Sequence, residues 1–397
     1  MGALHQSPRR QGRAALHRRR EPPPPLWAAR RGRAGAARPP HPPRGVHGTR
    51  RPVREGAPVR PRSRLTFLLA LLALAAVAVA LGALFIGSAA VSPRAVIAVL
   101  AGHGGGTGVA GVVVLSLRLP RILAALLAGG ALAVAGVGFQ ALTRNPLAEP
   151  SVLGVSSGAA FGVITAQVFG LRAGVLEALG LTAFAFCGAL VAGIAVYTIA
   201  SRAGGLPVHT LVLAGVIVGI FFSSAITVLI SVVDFDRLGG VIHWLLGNLA
   251  PIPPAALAVF ATVAGLGFWL VLGQSRQLNL LALGEEGALQ LGVDAERVKR
   301  RIFAGAALLT AAVVAFAGPI GFVGLIVPHA LRMTLGPDNR VLVPAALLAG
   351  GVFLLVADTL ARNLVAPAEL SVGVLTSLCG APFFIYLLRA RAARLGP

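Results

Sequence analysis

The almost unbroken apolar run from Leu65 to Ala90 constrains this chain more than any other feature. A helix needs about 20 apolar residues to cross a bilayer, and a secretory leader core needs only about 7–15. The run is therefore a span and not a cleaved leader. Comparable runs follow at 122–142, 152–170, 179–200, 210–231, 254–273, 302–317, 319–334, 341–361 and 371–388. None alternates with the period of two that membrane barrel strands require. Backbone polar groups in lipid must be satisfied within the segment, which leaves helices. The expectation is an all-α polytopic membrane protein of about ten transmembrane helices. The seventh and eighth are divided only at Gly318-Pro319, a break that is tolerated where backbone is buried in protein.

Composition agrees, once the ends are separated. Only 12% of the chain is charged and 56% is hydrophobic, against roughly a quarter charged in soluble domains. Residues 1–64 hold 17 of the 35 basic residues and 12 of the 27 prolines. This Arg/Pro-rich stretch has no apolar period and cannot bury enough surface to order itself, so it is expected to be a disordered tail or an overhang from a start site assigned too far upstream. The domain reading is a tail over 1–64, a transmembrane body over 65–390 containing a polar loop at 274–301, and a short tail over 391–397. In the body, twelve basic residues fall on the side shared by both termini and six on the other. That bias places the N- and C-termini in the cytoplasm.

Several features carry no chemistry of their own. Gly154, Gly158 and Gly162, like Gly215 and Gly219, recur at intervals of four, a spacing that lets helices pack closely in lipid. Cys187 and Cys379 lie inside apolar runs and suggest neither a disulfide nor a metal site. His329 has no second ligand at metal-binding spacing and is expected to serve a structural hydrogen bond. No glycine-rich loop with a Lys-Ser/Thr pair occurs, and the only lysine is Lys299, so the chain is not expected to be an enzyme or to hydrolyse ATP itself. No cofactor is expected.

Three stretches are unusual for a plain bundle. Arg118-Leu-Pro-Arg121 precedes a helix that ends in Gln140-Ala-Leu-Thr-Arg144-Asn145-Pro-Leu147-Ala-Glu-Pro150 and re-enters the membrane within a few residues. Leu278 to Arg301 forms the one long polar loop, expected to hold two short amphipathic helices separated at Gly292, with Asp294 as an N-cap. Its Leu281, Leu283, Leu289 and Leu291 argue for docking into a partner's groove over a solvated connector. The third stretch, Gly318-Pro-Ile-Gly-Phe-Val-Gly324-Leu-Ile-Val-Pro328-His329, is followed by Asp358, Arg362 and Glu369. Broken Gly/Pro helices of this kind line transport paths.

Taken in order, these motifs resemble the permease subunits of iron-siderophore, haem and vitamin B12 ABC importers, the FecCD type, from about Leu65 to Leu388. The resemblance implies a dimer with a second permease chain, identical or not, together with separate ABC ATPase subunits and an extracytoplasmic substrate-binding protein. It implies an ATPase-coupling role for Leu283, Gly284, Glu285, Ala288, Leu291 and Gly292. It implies docking to acidic residues of the binding protein for Arg118, Arg121 and Arg362, although arginines at helix ends also act as interfacial anchors, and Arg362 is spaced to pair with Asp358. It implies a cytoplasmic gate at Asn145, Leu147, Val208 and His209. The chain departs from the family pattern at Val208 and His209, where small hydroxyl residues are usual, and at Ser371, where a proline is usual.

The functional expectation is a permease in a bacterial plasma (inner) membrane that moves a ferric-siderophore-type chelate, with cobalamin or haem as alternatives. Its path is expected to be lined by small apolar residues. An ion-coupled secondary transporter would show paired intramembrane acids, and only Asp358 stands out as one in the sequence. Anchoring of nucleic acid by the basic tail is a further rival, and no nucleic-acid partner is expected.

Overall fold

The computed structural model describes residues 62–87, 89, 91–103, 108–171, 180–201, 205–232, 235–366 and 368–395. The expected tail over 1–64 falls almost wholly outside the described residues.

Helices account for the ordered elements. They are α1 (Arg62–Phe85), α2 (Pro93–Leu100), α3 (Val109–Gly111) continuing through a π-helical stretch (Val112–Arg118) into α4 (Leu119–Thr143), α5 (Val155–Phe169), α6 (Leu181–Ala200), α7 (Val208–Val232), α8 (Phe235–Leu245), α9 (Pro254–Leu272), α10 (Ser275–Leu281), α11 (Glu285–Gln290), α12 (Ala295–Ala317), α13 (Val323–Leu335), α14 (Asn339–Asn363) and α15 (Val372–Leu395). Seven helices are long and apolar enough to cross a membrane, and three shorter apolar ones, α5, α13 and the 372–385 part of α15, complete the ten expected segments.

The largest difference from expectation lies before the second span. The sequence suggested a start near residue 122, because Arg118, Pro120 and Arg121 resemble a helix boundary. The structure continues the helix back to Val109. Pro120 lacks an N–H and would crowd a carbonyl one turn earlier in an α-helix. The π-helical stretch before it widens the turn and absorbs that defect without ending the helix. Two short amphipathic helices, α2 and α8, also lie outside any twenty-residue apolar window. Ser92 caps α2 by accepting from the Ala95 N–H at 3.3 Å, with Pro93 at the first helical position, where proline is favoured.

The core gathers around α4. Across the most apolar 18 residues of its span 83% are buried, against 11% for the like stretch of α1. A helix apolar on every face belongs in the middle of a bundle, and α4 packs against α9, α12, α13 and α14. The close approaches use small residues, as the fourfold spacing suggested. A Cβ on Gly129 of α4 would overlap the Gly350 carbonyl of α14, and one on Gly158 of α5 would lie 2.5 Å from the Gly188 carbonyl of α6. Such contact supplies dispersion energy where lipid offers no hydrophobic drive. The Gly318-Pro319 division is present: α12 ends at Ala317, Gly318 takes φ +69°, and α13 begins at Val323. α15 starts without the family's proline, because the Ser371 carbonyl accepts from the N–H groups of Val374 and Leu375.

Candidate functional site

One end of the bundle holds a buried ionic cluster. Asp358 on α14 is 0% exposed. Arg121 at the start of α4 donates to both Asp358 oxygens, at 3.0–3.2 Å, and to Glu369 at 2.9 Å. Arg362, one turn beyond Asp358, pairs with it at 3.2 Å. The pairing of Arg362 with Asp358 is as the spacing suggested; the central place of Arg121 was not legible. Arg118 donates to the carbonyls of Leu84 and Ala89 at 2.6 Å each, tying the π-helical stretch to the end of α1. All three arginines named as docking residues are therefore buried and engaged inside the chain. The cluster carries one more cation than anion, and Arg362 Nη2 is buried without a hydrogen-bond partner among the described residues.

Between the ends, the chain re-enters the bundle after α4. Arg144 closes α4 in the left-handed conformation, φ +50°, and Asn145 Oδ1 accepts from the Leu147 N–H at 3.0 Å, forming a tight turn. Four residues later Glu149 Oε1 accepts from the Phe322 N–H at 2.7 Å. That donor sits at the start of α13, where the helix dipole favours a carboxylate. Phe322 itself is held at φ +69°, unusual for a bulky residue. Gly324 lies against Gly136, seven residues short of the end of α4. Glu149 thus sits roughly two turns deep in the bundle, about 10 Å. It is a second intramembrane acid besides Asp358, which the sequence reading missed; its signal was a carboxylate between two prolines next to a re-entering segment.

The opposite end, about 33 Å away along α4, carries the polar loop. The expected two short helices divide differently. Gly284, at φ +114°, separates α10 from α11, while Gly292, at φ +76°, leads into Asp294 and the long α12. Asp294 is the N-cap, accepting from the Arg297 N–H at 3.0 Å. Among the loop residues assigned to coupling, Ala288 is buried at 0% exposure, while Leu283, Glu285, Leu291 and Gly292 face outward and Gly284 is half-buried. Leu289 joins them at the surface, but Leu281 turns into the core. Three exposed leucines on an otherwise polar loop are more apolar surface than a solvated connector needs. α10 is pinned from below: Asn279 donates to Asp338 at 2.6 Å and accepts from the Asn339 N–H at 2.8 Å.

Beside this loop is a cavity of about 620 Å³ lined in part by Thr143, Arg144, Val208, His209, Glu285, Glu296 and Lys299. Val208 and His209 thus share this cavity with the end of α4. Asn145 and Leu147 belong to the adjacent turn and do not line the cavity. A separate open groove of about 450 Å³ runs between the start of α5 and α7. Gly154, Gly215 and Gly219 let α7 approach the start of α5 closely along its floor, and Ser151, Ser157, Ser223, Ser224 and Thr227 add hydroxyls. Val152, Val216 and Ile220 complete a lining that is mainly apolar. Among the described residues no group of three His, Cys, Asp or Glu side chains lies together as a metal site.

Residues 68–390 match the FecCD transport family. The chain belongs to that family. It is 44% identical over 283 residues to the cobalamin import system permease protein BtuC of Halobacterium salinarum, covering 71% of this chain and 75% of that one. It is equally 44% identical to the hemin transport system permease protein HmuU of Yersinia pestis, over 71% of this chain and 85% of that protein. Its fold superposes with a TM-score of 0.71 on a solved metal-chelate type ABC transporter in an inward-facing conformation, at 32% identity, over 82% of this chain and 99% of the other. This FecCD chain is accordingly a multi-pass permease of the ABC importer class, with the polar loop, the 205–209 segment and the arginine motifs inside the matched region.

Proposed function

We propose that this FecCD permease pairs with a second permease chain to form the membrane path of a bacterial inner-membrane importer for a metal chelate, driven by ATP hydrolysed on separate subunits. The ferric-siderophore reading made from the sequence stands beside haem and cobalamin, the cargoes in the names of two relatives at 44% identity. The observation that carries the path is the α5–α7 groove. It is open along one side, floored by glycines and edged by hydroxyls. The flanking face of α7 exposes Leu213, Ile217, Ile220 and Phe221, apolar surface for a second chain to cover. Hydroxyls that donate and accept without charge suit a large chelate whose polar rim must slide and not bind tightly.

In this reading the Lys299 end faces the cytoplasm, since the arginine bias favours it, and α11 with its exposed leucines seats in the ATPase subunit. Val208 and His209 close the path there. At the far end Arg118, Arg121 and Arg362 lie beneath the surface that meets the binding protein. The spare positive charge of that cluster attracts an acidic partner and favours its correct orientation. Deleting residues 1–64 should leave import unaltered.

The test is uptake into liposomes carrying the permease with its ATPase and binding-protein partners, offered a ferric hydroxamate, haemin and cyanocobalamin in parallel. ATP-dependent accumulation of one of the three is expected. Accumulation driven by an ion gradient without the ATPase would replace this reading with the secondary-transporter one.

A further inference from the structure

The only lysine in the chain is buried at the junction of three segments. Lys299 lies on the first turns of α12 and is 2% exposed. Its ammonium pairs with Glu296 on the same helix and with Glu285, the first residue of α11, at 3.3 Å. Glu296 in turn accepts from the Leu206 N–H at 2.6 Å through its other oxygen. Leu206 is two residues before Val208. Gly205 lies so close that a Cβ there would come within 2.6 Å of the Glu296 carboxylate. The three side chains share the cavity with Arg144, Val208 and His209. A continuous polar path therefore runs from the exposed helix α11, through one ammonium, to the backbone of the segment that opens α7.

We infer that Lys299 is the positioning residue through which movement of α11 reaches the gate segment 205–209, and this inference rests on the importer reading above. The chemistry suits a linkage. An ammonium is a compact charge with three donors, able to hold two carboxylates at once. Buried, it cannot lose one anion without tightening on the other or admitting water. A partner that pulls α11 away draws Glu285 off Lys299. Lys299 then draws the Glu296 carboxylate toward itself and away from the Leu206 N–H, which frees the 205–209 segment to move. The segment so released has two arrangements, held and free, and the position of α11 sets their balance. The remaining anchor of the loop, Asn279 on Asp338 and Asn339, lies on α10 and α14 and holds the loop's base without touching the gate.

The experiment uses the assembled importer in liposomes, with ATP hydrolysis and uptake of whichever probe (ferric hydroxamate, haemin or cyanocobalamin) the wild-type complex carries. Cys187 and Cys379, both exposed, are replaced, and spin labels are placed in pairs at Trp269 with Leu289 and at Trp269 with His209. In the wild type both distances are expected to change when ATP and vanadate are added. In Lys299→Met the Leu289 distance still responds, the His209 distance does not, and ATP consumed per cargo rises at least about fivefold. Lys299→Arg keeps the charge and stays within about twofold of wild type. Glu285→Gln removes the charge of the α11 arm alone and leaves Lys299 paired with Glu296, so it assembles even if Lys299→Met does not. Its ATP-to-cargo ratio is expected to rise about threefold. A His209 distance that responds undiminished in Lys299→Met, or an unaltered ratio in Glu285→Gln, overturns the inference. A wild-type complex that carries none of the probes counts against the importer reading and not against the linkage.

Discussion

Each end of the bundle centres on one enclosed charge at the meeting of several segments, and the two central charges are of opposite sign. At the Arg121 end the enclosed group is an anion, Asp358, held by two arginines that are themselves 5–9% exposed. At the Lys299 end the enclosed group is a cation whose two anions remain 29% and 49% exposed. In the first cluster Asp358 itself is 0% exposed, so taking away one of its arginines would strand a charge in a low-dielectric interior, at several kcal/mol. The second keeps both carboxylates near solvent, where a released anion is rehydrated at little cost. One is a joint fixing α4 to α14. The other has the properties of a contact that is made and broken.

The largest effect should come from the fixed joint. Asp358→Asn leaves Arg121 and Arg362 buried without their common anion and should cost about 3–5 kcal/mol, read as a lowered Tm of the purified permease in detergent. Removing Glu369, which is 36% exposed, should cost well under half as much; equal costs would break the contrast between the enclosed and the open partner. Next in size is Gly205→Ala at the other end. Its new methyl displaces the Glu296 carboxylate from the Leu206 N–H, at a cost of about 1.5 kcal/mol for a hydrogen bond to a charged group, in addition to the strain that any side chain meets at φ +157°. In a Glu296→Gln background the same change should cost measurably less, since the two share one partner. Full additivity would mean the carboxylate is not what Gly205 accommodates.

This division was partly visible in the residues. Long apolar runs specify spans because a bilayer demands length and internal hydrogen bonding, and so the ten segments and the Gly318-Pro319 division were readable. Asp294 as an N-cap was readable because capping is local. The Arg121–Asp358 pair spans 237 positions, and nothing in local sequence announces a tertiary partner at that distance. Arg118 and Pro120 were misread as a boundary because a π-helical turn, the device that accommodates them, has no sequence signature of its own. Lys299 served in the sequence only as one of the twelve basic residues of the charge bias and as evidence against an ATP-binding loop; its burial depends on Glu285 and Glu296 arriving from two helices. Leu281 shows the limit of the amphipathic reading: the break at Gly284 turns it inward while Leu283 and Leu289 turn out.

Two smaller effects sharpen the Lys299 end itself. Leu289→Asp places a charge on the exposed face of α11 without touching either anchor. It should reduce ATP-dependent import on the order of tenfold while shifting stability by under about 0.5 kcal/mol. The Gly284→Arg alternative is a poorer probe, because φ +114° there strains any side chain.

The smallest effect belongs to Asp338, the anchor of α10. Burial pushes its carboxyl up, but hydrogen bonds from Arg340 and Asn279 and the nearby Arg340 charge outweigh burial and hold it below its ordinary value of 3.8. A carboxyl depressed in the folded state stabilises above its unfolded pKa and loses that contribution as pH falls through the lower folded value. Asp338→Asn keeps a side-chain oxygen at the N-cap of α14 and removes only the charge. The Arg340 pair it breaks is largely exposed, so the change should cost under about 1 kcal/mol at pH 7. The gap in Tm between wild type and variant should hold from pH 7 down to about 5 and close below about 4. A gap that persists unchanged at pH 3 would mean that Asn279, which donates to Asp338 at 2.6 Å, anchors α10 through hydrogen-bond geometry alone. The charge chemistry of this end would then be confined to Lys299 and its two glutamates.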